Sequence, residues 1–482
     1  MERAEAEAIY DAGREACVEF MVELTARYER RVARFEARIE RLEEQVRESS
    51  RNSSKPPSSD PPKTRQQRRA EARERAKRSA RKPGGQPGHR GSGRKLAAED
   101  QLDEIVDHYP ERCRGCGHRF EESERQPSRR FGRHQVSELP PIAVTVSEHR
   151  MHGLRCPRCR ARTAAELPAE LSSSAFGPRA QAAVVTMSAR NRVSRRDMAE
   201  LAGELFGVGL SVGAVDAICQ RAAAALEGPH AKLTASVLAS PALNVDETGW
   251  RTAGDARALW TATTPAAAIF RLAADRHRDR LEELIGSEYE GIVCSDRWWA
   301  YDHLDPDCRQ ACWAHLKRDF TRHAEGLAEQ KAFGEAGLRL TKRLFAAWHA
   351  FEGHRDRGRL QAEIGPIQTE LRALTESAAR KSKRTRLHGR FARNLLKIWP
   401  ALWTFVTVSG VEPTNNAAER SLRGPVIHRK LSHGTRSDDG ERFIERALSA
   451  SVTCRLQGRS LFACLAGLLT AHARGQPLPS LA

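Results

Sequence analysis

The sequence contains no run of 18 consecutive apolar residues, so we expect no membrane-spanning helix. The first residues, Met1-Glu2-Arg3, do not resemble the start of a signal peptide, and we expect a cytoplasmic protein. Only five tyrosines occur, and none lies in a cluster of arginine and histidine that would activate it. This scarcity argues against an enzyme that uses a covalent tyrosine intermediate.

Lysine is also scarce, because it supplies only 13 of the 80 basic residues. The excess of arginine is compatible with phosphate binding, but a GC-rich coding bias would produce it equally. The formal net charge of +18 is more informative, since it indicates a polyanionic partner, nucleic acid first. The 482 residues are too many for one core, so we expect three or more domains of a multidomain α+β protein.

Residues 15–49 are predicted to form a leucine-zipper-like coiled coil. Apolar residues recur at spacings of three and four, as a heptad seam requires. The alternative is one amphipathic helix packed on its own chain, but the opposite face is almost wholly charged. The seam comprises Val18, Met21, Tyr28, Val32, Phe35, Ile39, Leu42 and Val46.

Residues 50–100 are predicted to be a disordered basic linker, rich in serine and proline at first and then in arginine. Residues 63–95 carry 13 basic side chains against two acidic ones. Such an arm binds phosphates without reading sequence, although a solvated tail with no partner is the alternative. The candidate DNA-binding residues of the arm are Arg68, Arg69, Lys77, Arg78, Arg81 and Lys82.

Residues 105–165 contain two Cys-x-x-Cys knuckles, which predict a structural zinc ion. Four thiolates suit tetrahedral zinc, and no ligand position remains for catalysis. Four buried thiols or a redox pair are the alternatives, and His118 or His152 could replace one thiolate. Alternating apolar residues between the knuckles predict a small sheet around Ile142, Val144 and Val146. The predicted ligands are Cys113, Cys116, Cys156 and Cys159.

Residues 175–235 are predicted to form a helical domain of three helices, the first opened by Pro178, the second capped by Ser194 and the third capped by Ser211. A glycine turn at residues 207–210 joins the second helix to the third. This pattern is compatible with helix-turn-helix recognition of DNA and equally with a plain helical bundle.

Residues 238–314 are different in character, because short apolar strands replace the helices. Asp246 ends the first strand and Asp296 ends the fourth. Three strands, a helix and a fourth strand fit a ribonuclease H-like α/β core. We expect this core to be completed by residues 411–435, after a helical insertion at residues 315–410.

Glu419 opens a helix in residues 411–435 and is the third carboxylate of the predicted site. Carboxylates are the ligands that hard divalent cations prefer. Two such cations about 4 Å apart would promote displacement at a phosphodiester, with Asp246 bound to both. Each acid taken alone is equally compatible with surface solvation. Arg420, Arg423 and His315 are candidate phosphate contacts, and Trp298 could stack on a base.

The segments around these acids carry a wider pattern: Asn244-Val-Asp246-Glu-Thr, Ser295-Asp296-Arg-Trp-Trp-Ala-Tyr301, Cys312-Trp-Ala-His315 and Thr414-Asn-Asn-Ala-Ala-Glu419-Arg-Ser-Leu-Arg423. They resemble the DDE transposases of the insertion sequence sixty-six (IS66) family. The segments Asn52-Ser-Ser-Lys-Pro-Pro-Ser-Ser-Asp60 and Lys82-Pro-Gly-Gly-Gln-Pro-Gly-His89 and the paired knuckles extend the resemblance over nearly the whole chain.

The resemblance implies DNA strand cleavage and strand transfer at insertion-sequence ends, with Asp246, Asp296 and Glu419 as the catalytic triad. It also implies two magnesium ions, terminal inverted repeats and target DNA as substrates, and often accessory proteins from the same element. A zipper suits a homodimer or higher oligomer that is associated with the nucleoid. Residues 436–482 form a C-terminal helical segment with no assigned chemistry. The alternative is a non-catalytic DNA-binding regulator that keeps the zinc and helix-turn-helix parts.

Overall fold

The computed structural model describes residues 8–49, 52, 69, 96–125, 132–140, 142, 144–168, 171, 174–326, 328–381 and 387–482. By its contacts the chain divides into two units, Pro61–Thr145 and the combination of Met1–Asp60 with Val146–Ala482, and each is described by itself. No helix within these described ranges is long and apolar enough to cross a membrane.

Helix α1 (Arg14–Arg47) covers the predicted coiled coil. The larger apolar side chains of its seam are exposed, from Leu42 and Phe35 at 52% to Val46 at 86%. The described part of the chain therefore does not cover this seam. Pairing of two chains along it stays a prediction.

The unit Pro61–Thr145 has little regular structure in its described residues. It contains 3₁₀ turns at Glu99–Gln101 and Glu122–Arg125 and one bridge between Arg112 and Arg119. The expectation of strands around Ile142, Val144 and Val146 is wrong, since none of the three lies in a strand. All three side chains are exposed, so their alternation has no apolar layer to pack on.

The larger unit contains a hairpin and a five-stranded mixed sheet. The hairpin pairs β1 (Gly153–Arg155) with β2 (Arg162–Ala164). The sheet has the order β5-β4-β3-β6-β7, in which β3, β4 and β5 are antiparallel and β6 and β7 run parallel to β3. Its strands are β3 (Ala242–Thr252), β4 (Asp255–Thr263), β5 (Ala268–Ala273), β6 (Ile292–Ser295) and β7 (Arg309–Ala311).

Strand β3 continues six residues beyond Asp246, its predicted end. A two-residue turn, Ala253-Gly254, joins it to β4, and both residues have positive φ, 52° and 98°. Such a turn matches the twist of antiparallel strands. Asp246 consequently lies within a strand rather than at its end.

Helices that precede the sheet in the sequence and helices that follow it share one hydrophobic core with the sheet. Ser194 and Ser211 cap the predicted second and third helices, as expected, by accepting bonds from Asp197 N and Ala214 N. Residues from 175–235 and 436–482 thus pack together. The helices are α2 (Pro178–Ala189), α3 (Arg195–Phe206), α4 (Val212–Ala225), α5 (Glu227–Leu238), α6 (Arg278–Ile285), α12 (Asn416–Ser432), α13 (Asp438–Leu456) and α14 (Leu461–Ala473).

The predicted insertion is helical, and its buried side chains form a second core that also includes Cys294 of β6 and Ala311 of β7. Pro366 predicts a helix that begins after it, at Ile367, but the helix begins ten residues earlier, at Arg357, and contains that proline. Its buried stripe, Leu360, Ile364, Ile367 and Leu371, runs past the proline, so packing outweighs the lost hydrogen bond. The helices are α7 (Trp313–Ala324), α8 (Ala328–His354), α9 (Arg357–Lys381), α10 (Leu387–Lys397) and α11 (Thr404–Thr407).

Candidate active site

Strand register places Asp246 and Asp296 side by side. In the parallel pair of β3 with β6, Leu243 lies opposite Val293 and Asn244 opposite Cys294. Continuing this register by two residues brings Asp246 opposite Asp296, which follows the last residue of β6. The two carboxylates therefore lie side by side where β6 ends, although Asp246 itself lies within β3.

Main-chain amides orient both carboxylates. Asp246 Oδ1 accepts a bond of 3.0 Å from the N–H of Glu247, and Asp296 Oδ1 accepts one of 2.8 Å from the N–H of Trp298. The rings of Trp298 and Trp299 lie 5.9 Å apart, and both side chains are exposed. Two accessible aromatic rings thus lie beside Asp296.

Arg309, which the sequence analysis did not single out, holds the segment after Asp296 in place. It lies in β7 and is 1% exposed. Its guanidinium donates to the carbonyl of Asp296 at 2.6 Å, the carbonyl of Tyr301 at 3.0 Å and Ser295 Oγ at 3.2 Å. A single buried guanidinium therefore fixes both ends of the loop that carries Asp296.

Asn415 anchors the helix that carries Glu419. Its side chain is fully buried, and Nδ2 donates to the carbonyl of Val245 at 2.7 Å. Its backbone N–H lies 3.2 Å from Cys312 Sγ, which accepts the bond. Asn415 occupies the cap position of α12, but its side chain bonds β3 instead of the helix. This bond ties the start of α12 to the residue that precedes Asp246.

Negative charges converge on Asp246. Burial, and then the carboxylates of Glu247, Asp296 and Glu419, raise the pKa of Asp246 well above its usual range. The structure thus brings the three predicted acids within mutual electrostatic influence. A buried group of like charges binds cations favourably, because cations relieve the repulsion.

Glu247 belongs to this acidic cluster, although the alternation of β3 predicted that it would lie outside the site. Its carboxylate accepts a bond of 2.8 Å from the hydroxyl of Tyr301. Burial, and next the charge of Asp296, raise the pKa of Glu247 to about 7. The sequence signal was a second acid next to Asp246, with a tyrosine five residues after Asp296.

Glu419 also contacts two basic side chains on α7. Its Oε1 lies 3.3 Å from Arg318 Nη2 and 3.6 Å from His315 Nδ1. Arg318 Nη2 lies 2.9 Å from the other ring nitrogen of His315. Burial and the charge of Arg318 lower the pKa of His315, which favours a neutral imidazole. His315 therefore lies beside Glu419, and its contact with a phosphate stays a prediction.

Cys312, His315 and Glu419 place one potential ligand atom each within 4.8 Å of one another. The thiol is a poor candidate ligand, because burial raises the pKa of Cys312 to about 11 and its sulfur already accepts the bond from Asn415. The packing role of Cys312 is the simpler explanation.

The predicted DNA-binding residues fall in different parts of the chain. Arg420 and Arg423 are exposed on α12 and line one cavity. Arg69 is exposed, and nothing more is described of it. The remaining arm residues lie outside the described residues: Arg68, Lys77, Arg78, Arg81 and Lys82.

The first knuckle lies in the unit Pro61–Thr145. The backbone N–H of Cys113 donates to the carbonyl of His118, and that of Gly117 donates to the carbonyl of Cys113. Backbone N–H groups of Cys116 and then Gly115 lower the pKa of Cys113. A turn whose backbone N–H groups point at the cysteine sulfur stabilises the thiolate, which is the form that binds a metal.

The second knuckle, in the larger unit, repeats this turn. The N–H of Cys156 donates to the carbonyl of Ala161, and that of Arg160 to the carbonyl of Cys156. Backbone N–H groups of Cys159 and then Arg158 lower the pKa of Cys156. The binding of one zinc ion by both knuckles stays a prediction.

Comparison with known families assigns most of the described core. The model of a family described as Transposase IS66 family matches residues 173–442. A family of unknown function matches residues 2–95. A search of curated proteins found no match.

Proposed function

The chain belongs to the transposase IS66 family, and from this premise we propose that it cuts and joins DNA strands at an acidic site formed by Asp246, Asp296 and Glu419. The observation that carries the proposal is the convergence of the three acids: the register of β3 with β6 brings Asp246 opposite Asp296, and the bond from Asn415 to Val245 ties the start of the helix that carries Glu419 to the same strand. Asp296 and Glu419, which lie 50 and 173 positions after Asp246 along the chain, thus converge on one partly buried carboxylate.

The donor set fits magnesium. All three groups offer hard carboxylate oxygens, and the cluster carries an excess of negative charge that a cation would neutralise. Two magnesium ions bound there would activate the attacking oxygen and stabilise the leaving oxygen of a phosphodiester. Asp246, on which the charges of the other two acids act, would hold the ions together with Asp296 and Glu419.

The residues around the acids keep their geometry fixed. Arg309 holds the loop of Asp296, and Asn415 holds the start of α12. Arg318 contacts Glu419 at 3.3 Å and keeps its carboxylate in one orientation. Such preorganisation is what positioned phosphoryl chemistry requires.

The reaction has two steps at the same acids. Water attacks the phosphodiester at the element end and frees a 3′-hydroxyl, and that hydroxyl then attacks a target strand. Each step exchanges one phosphorus–oxygen bond for another, so no covalent bond to the protein is needed. The exposed Trp298 and Trp299 beside Asp296 suit stacking on bases near the scissile bond.

The sheet order supports a ribonuclease H-like core for this chemistry. The antiparallel strands β3, β4 and β5, the helix α6 and the parallel strand β6 follow the order of three strands, a helix and a fourth strand inferred from the sequence, and β7 adds a fifth strand parallel to β6. The exposed seam of α1 supports a homodimer, and the two cysteine turns support a structural zinc ion. The terminal inverted repeats of the element and target DNA are the proposed duplex substrates.

Strand cleavage with purified protein tests the proposal. Duplex DNA from the ends of the element is incubated with magnesium, and nicked product is measured for Asp246→Asn, Asp296→Asn and Glu419→Gln. Each variant should lose cleavage and keep DNA binding. Glu288→Gln, an exposed acid in the same unit, is the matched control and should cleave normally. Full cleavage by any one triad variant would remove that residue from the site, and a wild-type protein that binds but never cleaves would favour the regulator.

A further inference from the structure

A cavity of about 580 Å³ lies beside the acidic site, between β3, α12, α13 and the segment after α2. Its lining is strongly basic, and Glu412 is the acidic side chain among the lining residues. The basic residues are Arg190, Arg192, Arg420, Arg423 and Arg455. We refer to these five and the space they enclose as the arginine cavity.

The five arginines have no acidic partner in the part of the chain that the structure describes. Arg190 donates to the carbonyl of Ser451 at 2.6 Å, and Arg192 donates to the carbonyl of Arg190 at 3.0 Å. These bonds orient the side chains but do not neutralise them. Burial, and next the charge of Arg455, lower the pKa of Arg190, so the cluster repels itself when no anion is bound.

The arginine cavity adjoins the three acids through shared elements. Asn244 lines the cavity and lies two residues before Asp246 on β3, so both side chains point to the same face, about 7 Å apart. On α12, Arg420 follows Glu419 directly. Asn244 Oδ1 is buried and accepts no hydrogen bond from the described residues. The cavity therefore offers guanidinium donors together with one free acceptor.

We propose that the arginine cavity binds the phosphates of one DNA strand next to the scissile bond, an inference that rests on the proposed function. Guanidinium groups bind phosphate oxygens in pairs, and the acceptor of Asn244 suits a base amino group or a sugar hydroxyl. The cavity has the volume of a small-ligand pocket, so one strand fits it. A duplex does not fit, because its major groove alone is about 12 Å wide. At about 3.4 Å per nucleotide, the cavity begins about two nucleotides from the acids.

The test measures binding of the full-length protein to a fluorescein-labelled single strand and to the matching duplex, by anisotropy in EDTA over a series of salt concentrations. Arg192→Gln/Arg455→Gln removes two cavity charges, and Arg339→Gln/Lys342→Gln removes two exposed charges from α8 as the matched control. The salt slope for the single strand should become shallower by about 1.4 in the cavity variant only, since each lost phosphate contact on a single strand is worth about 0.7. The basic arm is intact in both variants, so its contribution cancels.

The duplex provides the contrast. Its salt slope should be the same for wild type and both variants, and an equal change with duplex and single strand would overturn the assignment to one strand. An unchanged single-strand slope in the cavity variant would overturn it as well. If that variant unfolds, the single change Arg455→Gln should still reduce the slope, by about 0.7. Release of the strand by micromolar inorganic pyrophosphate would instead identify a site for free phosphates and contradict the proposal.

Failure of this inference is distinguishable from failure of the proposed function. EDTA prevents cleavage, so the binding result does not depend on the triad. Cleavage by wild type with an unchanged single-strand slope in the cavity variant would leave the acidic site intact and remove only the strand-binding role of the arginine cavity.

Discussion

Replacing Asn415 with alanine should uncouple Glu419 from the other two acids. Asn415 is fully buried, and its Nδ2 donates a hydrogen bond of 2.7 Å to the carbonyl of Val245, the residue before Asp246. Loss of the donor leaves a buried acceptor without this partner, which costs about 1–3 kcal/mol of folding free energy. The start of α12 then loses its side-chain tie to β3.

The effect on cleavage should be larger than the effect on stability suggests. A displacement of about 1 Å at a reacting group costs on the order of 10²-fold in rate. We therefore expect Asn415→Ala to lower the single-turnover cleavage rate by about that factor, with little change in affinity for DNA. Denaturant unfolding gives the stability, and anisotropy gives the affinity.

Asn416→Ala is the matched control, because it removes the same amide one residue later. The structure shows no side-chain hydrogen bond for Asn416 within the described ranges. Its variant should cleave at close to the wild-type rate. Equal cleavage by both variants, with only Asn415→Ala destabilised, would show that Asn415 supports the fold and does not position Glu419.

Two further predictions concern the helical insertion. Burial lowers the pKa of His323 from 6.5 to about 3, so the unfolded chain binds the proton more readily than the folded chain does. The free energy of unfolding should therefore fall by about 2 kcal/mol between a pH above 6.5 and pH 5. Urea titrations at these two pH values should show that His323→Leu removes this loss. Gly334→Ala should destabilise the protein by about 3 kcal/mol, because the new methyl group would overlap the backbone of Ala324. Gly353→Ala on the same helix meets open space and should stabilise the protein by about 0.5–1 kcal/mol. Similar shifts in thermal unfolding temperature for the two variants would contradict this packing.

Local patterns account for what could be predicted from the sequence. Asp246 and Asp296 follow short apolar stretches, and Glu419 lies just after a helix start, so each acid could be located without knowledge of its neighbours. The cap residues Ser194 and Ser211 were predictable for the same reason, since a cap acts within three residues.

Features that depend on distant contacts could not be predicted in this way. Strand β7 is three residues long and contains Arg309 and Gln310, which are buried only because β6 and α11 lie beside them. Alternation along a strand predicts that Glu247 points to the face opposite Asp246, but its carboxylate accepts a bond from Tyr301 and its charge acts on Asp246. The grouping of five arginines around one cavity likewise joins residues more than 200 positions apart.

Calorimetric titration of Mn²⁺ into the metal-free protein tests most directly whether the acids form one metal site. Wild type and Glu288→Gln should show the same saturable binding, and Asp246→Asn should lose it, because the charges of both other carboxylates act on Asp246. Binding to Asp246→Asn with wild-type affinity and stoichiometry would contradict the account.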